Sequence, residues 1–170
     1  GVSVLSLFYR DGDKEQKMLS FWEKDLAGAW EIFQKADRII GFNSLGFDVP
    51  VLSPYAPPYF ARLPHFDILA HIKESQGKRV SLDALAKATL GIQKTDSGEN
   101  AILYWQKGDK ESLEKLRKYC EADVAITRDL YDFGLKNGYL KYIDFWNETR
   151  QVKVDFSYPK IEAEAQGSLF

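Results

Sequence analysis

The chain has 170 residues, of which 45% are hydrophobic and 28% are charged, as is typical of one compact globular domain with its own core. No apolar run reaches the roughly 18 residues that a membrane-spanning helix needs, and a net charge of −2 excludes a surface coated with basic residues for duplex DNA. The single cysteine excludes an internal disulfide, and two histidines are too few for a zinc site without carboxylate ligands. We therefore expect an intracellular, cytoplasmic protein.

The N-terminal part of the chain predicts a hairpin, a helix and a strand. Residues 2–9 and 17–22 have extended, β-rich patterns, and the Asp-Gly pair between them favours a tight turn. Asp25 is placed to cap a helix with apolar residues at helical spacing. Residues 38–42 then predict a short buried strand.

The middle of the chain alternates loops, short strands and helices. Residues 43–46 form a predicted loop, Asp48 opens a helix, and residues 65–69 predict a strand that turns into a helix. Within that junction, Asp67 either supports a nearby site or caps the helix.

The second half predicts two capped helices separated by a loop. Ser81 begins the first and Gly91 ends it, whereas Asp109 begins a long second helix that stops at Gly138. Between them, the polar residues 95–100 predict a mobile loop. Trp105 follows in a helical stretch and is predicted to lie in the core.

The last part of the chain predicts strands rather than helices. Val152, Val154 and Phe156 alternate with polar residues, which is typical of a half-buried strand. We predict an α/β domain at residues 1–145 and a strand-rich appendage with a tail at residues 146–170.

Tyr119 and Asp123 are the first candidates for chemistry. Their i, i+4 spacing on the long helix puts both side chains on one face. Asp is a poor residue for a helix interior, and here it lies beside the apolar stripe, where a carboxylate must be paired, protonated or bound to a metal. A surface ion pair with Arg128 or a nearby lysine is the alternative to a functional role.

Residues 43–48 are the second candidate segment, because they follow a buried strand. Polar groups at the end of a strand lie where open α/β sheets usually bind ligands. Phe47 would be held near the mouth of such a site, where it could stack on a base, or else pack in the core. The alternative for Asp48 is an ordinary helix N-cap.

Together the two segments resemble a known enzyme family. Residues 41–52 resemble the second motif of the DEDD exonucleases, the proofreading-type branch of the ribonuclease H-like superfamily. Residues 119–124 resemble their third motif in its tyrosine form. Residues 66–69 and 81–86 look like the connecting strand and helix, and the whole of residues 1–143 is similar to a subgroup of predicted exonucleases of bacteria and archaea.

The resemblance implies a mixed β-sheet flanked by helices and a two-metal 3′–5′ exonuclease. Asp48 and Asp123 match the family's metal-binding carboxylates, which hold Mg²⁺ or Mn²⁺. Tyr119 matches the residue that holds, and helps to deprotonate, the attacking water. Asn43 and Phe47 would contact the substrate, which is single-stranded DNA or RNA with a free 3′ end, and the products would be nucleoside 5′-monophosphates.

The chain departs from the family at its first motif, an Asp-x-Glu on the central first strand of the sheet. The one such triplet, Asp13-Lys14-Glu15, falls in the predicted hairpin turn, and residues 1–10 match the second strand instead. The missing strand could belong to a segment absent from this chain, which we favour, or to a partner chain. Alternatively, residues 4–8 have taken the central place in an inactive relative.

Two alternatives from other functional classes stay open at this stage. One is a catalytically inactive nucleic-acid-binding or scaffold domain of the same fold. The other is a sheet-based interaction module that does not bind single strands.

Overall fold

The computed structural model describes residues 1–159, which form six strands and six α-helices. The strands are β1 (Val4–Asp11), β2 (Glu15–Trp22), β3 (Ile39–Gly41), β4 (His65–Asp67), β5 (Tyr139–Ile143) and β6 (Thr149–Lys153). The helices are α1 (Ala27–Lys35), α2 (Asp48–Leu52), α3 (Ile68–Gln76), α4 (Leu82–Leu90), α5 (Gly98–Lys107) and α6 (Lys110–Asn137). The predicted mixed α/β fold is confirmed.

The strands pair as three separate two-stranded sheets within residues 1–159. β1 and β2 form the predicted hairpin, closed by a turn in which Gly12 has a φ of 51°. β3 and β4 are parallel, with Ile39 opposite His65 and Gly41 opposite Asp67. β5 and β6 form a second antiparallel hairpin.

Helix α6 lies against both the first hairpin and the parallel pair. On one side the Arg128 guanidinium lies 4.6 Å from the ring centre of Phe8 in β1. On the other side Arg38, just before β3, donates a hydrogen bond of 3.1 Å to the Tyr131 hydroxyl. β1 and β3 are not paired with each other, so each presents an unpaired edge. We call the space between these two edges the strand gap.

Two hydrophobic clusters stabilise the fold. The first lies under the N-terminal hairpin and α1, and its buried members are Val2, Leu7, Leu26, Ala29, Trp30, Leu52 and Phe60. The second surrounds α6, and its fully buried members include Ile68, Ile72, Leu85, Leu130, Leu140, Val152 and Phe156.

Most helix ends follow the predicted capping residues, but the prediction for Asp25 is wrong, because Leu26 occupies the cap position of α1 and no side-chain capping bond forms there. The Asp109 carboxylate accepts the Ser112 N–H at 2.7 Å, and the left-handed Gly138 ends α6 with a φ of 76°. Ser81 likewise caps α4, which ends at the left-handed Gly91. These boundaries are confirmed because each rests on a local hydrogen bond or backbone angle that the residue type itself favours.

Two predictions around α5 were wrong. The loop predicted at residues 95–100 is shorter, because Ser97 accepts the Asn100 N–H and starts α5 at Gly98. Trp105 is 48% exposed rather than in the core. Helix α5 packs mainly against α6, so its other side remains open to solvent.

The C-terminal hairpin is strand-rich as predicted, and it packs into the second cluster. Phe156 is 1% exposed, and its ring stacks on Tyr131 with centroids 5.4 Å apart. The division of the chain at residue 145 stays a prediction, and the predicted tail from residue 160 onward lies outside the described residues. In residues 1–159, none of the helices combines the length and the apolar character that a bilayer crossing requires.

Candidate active site

Asp67 anchors the loop that follows β3. One carboxylate oxygen accepts the Asn43 N–H at 2.8 Å and the Ala70 N–H at 3.2 Å, and the other accepts the Leu45 N–H at 3.0 Å. Asp67 is only 6% exposed, so these bonds replace its lost hydration. Asp67 therefore caps α3, which was one of the two alternatives predicted for it. It also fixes the loop that leads to Asp48.

The conformation of residues 43–46 explains their residue types. Asn43 has a φ of 58°, in the left-handed region that Asn tolerates better than most residues. A Cβ atom on Gly46 would lie 2.8 Å from the Asn43 side-chain oxygen, so the close return of the loop needs glycine there. Phe47 is exposed, so its predicted packing in the core is wrong. The substrate contacts of Asn43 and Phe47 stay predictions.

Asp67→Ala is expected to lower the free energy of unfolding by about 3 kcal/mol, because it removes an N-cap and leaves two loop N–H groups without their acceptor. Urea denaturation measures this change. Asp13→Ala, in the exposed hairpin turn, is the matched control and is expected to change stability by less than about 0.5 kcal/mol. Equal stabilities for the two variants would contradict the anchoring role.

Asp48 is the first residue of α2, and its side chain is exposed. Phe47 occupies the cap position, and no side-chain capping bond forms there, so the interpretation of Asp48 as an N-cap is wrong. The carboxylate is reachable by solvent, yet the protein atoms around it displace much of its hydration. This desolvation raises the pKa of Asp48 to about 6; its own backbone N–H opposes the rise and the Asp67 carboxylate adds to it.

The raised pKa predicts a stability change with pH. Asp48 is charged at neutral pH, where desolvation disfavours the charged form, so its contribution to stability is most favourable below the unfolded pKa and is lost as pH rises through about 6. Asp48→Asn is expected to become more stable relative to the parent between pH 4 and pH 7, by about 1 kcal/mol after allowing for solvent screening. Urea midpoints across this range measure the difference, and a constant difference would contradict the raised pKa.

Asp123 is paired with a lysine from a distant part of the chain. The Lys94 ammonium nitrogen lies 2.6 Å from one Asp123 oxygen and 3.1 Å from an oxygen of Asp83. The ion pair predicted as the alternative to a functional role therefore forms, with a lysine as the partner, whereas Arg128 pairs with the neighbouring Asp129. The loop after α4 therefore places the Lys94 cation against Asp123, the carboxylate that the sequence predicts to bind a metal.

Tyr119 lies beside this ion pair. The Lys94 nitrogen is 5.2 Å from the centre of the Tyr119 ring, within range of a cation–π contact. Desolvation, with the negative charge of Asp123, raises the pKa of Tyr119 above its ordinary value. The phenol therefore stays protonated at neutral pH, so it can donate a hydrogen bond and orient a water molecule. The predicted part of Tyr119 in deprotonating that water stays a prediction.

Lys94 is charged under all physiological conditions. Desolvation favours its neutral form, but the carboxylates of Asp123 and Asp83 outweigh that effect, so the pKa of Lys94 is raised. Its side chain is 18% exposed, which makes the ion pair less screened than one on the open surface.

The charges of both candidate carboxylates affect the pKa of Cys120. Its thiol pKa is raised to about 11, first by burial and then by the charges of Asp123, Glu121 and Asp48. The charges of Asp48 and Asp123 therefore act in the same direction on the half-buried thiol of Cys120. That Asp48 and Asp123 share one site stays a prediction.

A family model described as the RNase_H superfamily matches residues 2–133. The chain belongs to the RNase_H superfamily. The match spans β1 through most of α6, and so includes Asp48, Tyr119 and Asp123. Comparison with curated proteins and with solved structures finds no significant match. Membership suggests a nuclease-type function on a nucleic-acid substrate, and nucleases of this superfamily typically use divalent metal ions.

The residues of this RNase_H superfamily chain fit such an ion only in part. Oxygen donors such as Asp48 and Asp123 suit Mg²⁺ or Mn²⁺. Within residues 1–159, however, no group of three or more His, Cys, Asp or Glu side chains could hold a metal ion. The two carboxylates therefore amount to part of a ligand set, and further ligands would be needed to complete it.

Two contacts that position the site could not be predicted from the sequence. Lys94 reaches Asp123 from the loop after α4, and no local pattern links these two residues. Glu121, which lies between Tyr119 and Asp123 on α6, accepts a hydrogen bond from Ser20 of β2 at 2.8 Å, and this bond holds the first hairpin on α6. Both contacts join residues far apart in the chain, so spacing alone cannot find them.

Proposed function

We propose that the protein is a metal-dependent 3′–5′ exonuclease that hydrolyses a single-stranded nucleic acid from its free 3′ end to nucleoside 5′-monophosphates. The observation that supports this best is the match to the RNase_H superfamily over residues 2–133, which includes both motif carboxylates, Asp48 and Asp123.

Each residue of the site has a part in this proposal. Asp48 and Asp123 bind Mg²⁺ or Mn²⁺, and bound ions would supply the charge that stabilises the attacking and leaving oxygens of a phosphodiester. Tyr119, protonated, orients the attacking water. Asn43 and Phe47 lie on the anchored loop, where the exposed ring of Phe47 can stack on a base.

The strand gap gives a physical reason for the incomplete ligand set. β1 and β3 have unpaired edges and both lie on α6, and a strand between them would pair with both. Such a strand would run next to β3, whose end leads towards Asp48. An Asp-x-Glu on it would add two carboxylates to the ligand set that includes Asp48. A preceding segment of a longer protein is our favoured source, and a partner chain is the other.

Lys94 is expected to compete with the metal for Asp123, because a cation already lies 2.6 Å from that carboxylate. Lys94→Met removes the competing charge and keeps much of the apolar stem. We expect about tenfold tighter Mn²⁺ binding, equivalent to about 1.4 kcal/mol, measured by calorimetry. Lys35→Met, at the end of α1, is the matched control. Weaker binding by Lys94→Met would instead assign Lys94 a supporting role in the loaded site.

A catalytically inactive nucleic-acid-binding domain is the second candidate, and the same ion pair favours it. Lys94 balances the charge of Asp123, and fewer than three ligands cluster within residues 1–159, so the described residues pair this carboxylate without a metal ion. This candidate retains binding to single strands and lacks cleavage.

Incubation with a 5′-labelled single strand and Mg²⁺ separates the two candidates. A longer form of the protein, in which an Asp-x-Glu strand precedes residue 1, is expected to shorten the strand one nucleotide at a time from the 3′ end. Binding without shortening by this longer form would favour the inactive domain. Cleavage within the strand, without stepwise shortening, would contradict an exonuclease.

A further inference from the structure

An exposed aromatic pair stands at the tip of the second hairpin. Phe145 and Trp146, in the turn between β5 and β6, are 92% and 74% exposed. Their rings meet edge to face, with centroids 5.4 Å apart. Neighbouring large apolar side chains that are exposed to solvent are typical of binding surfaces.

The turn that presents these rings is internally fixed. One Asp144 oxygen accepts the N–H groups of Trp146 and Glu148, each at 2.9 Å. The other Asp144 oxygen accepts the Arg150 Nε–H at 2.6 Å. The rings are therefore displayed by a bonded turn, which lowers the entropy lost when a ligand stacks on them.

An open notch of about 840 Å³ separates this turn from the start of α4. Cationic and aromatic side chains line its walls, and the residues that define this aromatic notch are Lys78, Arg79, Ser81, Phe145, Trp146 and Arg150. Both nearby carboxylates, Asp144 and Glu148, already pair with Arg150. Among residues 1–159, no carboxylate pairs with Lys78 or Arg79, and the Lys78 ammonium bonds only to the Tyr142 hydroxyl.

Cations beside exposed aromatic rings match the chemistry of a single-stranded nucleic acid. Successive bases stack on aromatic rings and the phosphates lie on lysine and arginine. A protein partner fits less well, because the cores of protein interfaces are depleted in lysine and rely on a larger apolar area than two rings provide.

The first turn of α4 connects the aromatic notch with the candidate active site. Ser81 and Ala84 line the notch, whereas Asp83 between them pairs with Lys94, which in turn contacts Asp123. A flexible strand lying over this turn could therefore reach both places at once.

From this arrangement we infer that the aromatic notch is a second binding site for single-stranded nucleic acid, holding bases upstream of the 3′ end. The inference rests on the proposed nuclease function for its direction, and on the notch itself for its chemistry. It also gives the second hairpin, which lies beyond residues 2–133 of the superfamily match, a functional role.

The test is a titration of fluorescein-labelled (dT)₁₂ in EDTA, followed by anisotropy, with (rU)₁₂ as a second probe. Phe145→Ala and Trp146→Ala are each expected to weaken binding about tenfold, as loss of one stacked base predicts. Trp105→Ala, at another exposed tryptophan, is the matched control and should bind like the parent.

Lys78→Ala and Arg79→Ala should each reduce the slope of log affinity against log salt by about 0.7, and Lys35→Ala should not.

Three outcomes would overturn the proposal that the notch binds nucleic acid. The parent does not bind the labelled strand, or the parent and both aromatic variants bind it with equal affinity. The third outcome is a concentration-dependent dimer in sedimentation that Trp146→Ala abolishes. Because EDTA prevents cleavage, binding is measured whether or not the protein is a nuclease. If the Trp146→Ala variant cleaves and binds like the parent, the notch is not a binding site and the exonuclease proposal is unaffected. If the protein binds through the notch but does not cleave, the exonuclease proposal fails and the notch remains.

Discussion

Asp123→Asn is expected to slow the degradation of single strands by about 10³-fold, a loss of about 4 kcal/mol of transition-state stabilisation. The substitution keeps the size of the side chain and removes the charge that a metal ion needs. Lys94 retains its contact of 3.1 Å with Asp83, so the loop after α4 keeps one of its two anchors. The measurement is the initial rate on a 5′-labelled strand with Mg²⁺, using the longer form that includes an Asp-x-Glu strand.

Asp132→Asn is the matched control for this experiment. Asp132 lies on the same helix and forms an exposed ion pair with Arg10 at 2.8 Å, so it tests the loss of a carboxylate on α6 away from the site. Its rate should stay within about twofold of the parent, since exposed pairs contribute about 0–1 kcal/mol. Equal rates for Asp123→Asn and the parent would contradict the assignment of Asp123 to the reaction.

Phe156→Ala is expected to lower the free energy of unfolding by about 3–5 kcal/mol, as for other buried aromatic residues. The ring stacks on Tyr131 and meets Phe66 edge to face, with both centroid distances at 5.4 Å. It also packs directly over Gly134 of α6, where a Cβ atom would collide with it. A loss of this size is a large part of the stability of a typical domain.

Urea denaturation of Phe156→Ala and Phe145→Ala provides a matched pair within one hairpin region. Phe145 is fully solvated, so its removal should change the free energy of unfolding by less than about 0.5 kcal/mol. If both variants were as stable as the parent, the C-terminal hairpin would be a dispensable appendage instead of part of the α6 core.

Local signals in the sequence were enough to predict most element boundaries. Ser81, Asp109 and Gly138 act through a hydrogen bond or a backbone angle within a few residues, so their effect does not depend on the rest of the fold. The Asp-Gly turn of the first hairpin is of the same kind. Trp105 was misplaced because its burial depends on what covers α5, and a helical pattern does not specify that.

The residues of the candidate site were predicted from their resemblance to exonuclease motifs, and their roles stay predictions. Their electrostatics could not be predicted from the sequence. The ion pair of Lys94 with Asp123 and the raised pKa of Asp48 depend on long-range contacts and on crowding. Neither leaves a spacing in the sequence, so only the folded chain reveals them.

Calorimetric titration of Mn²⁺ into the longer form tests the metal centre directly, apart from any activity. The parent and Asp132→Asn are expected to bind Mn²⁺ alike, whereas Asp48→Asn and Asp123→Asn should each bind at least about tenfold more weakly, because each loses one carboxylate ligand. Equal Mn²⁺ affinity in all four proteins would contradict a site built on Asp48 and Asp123.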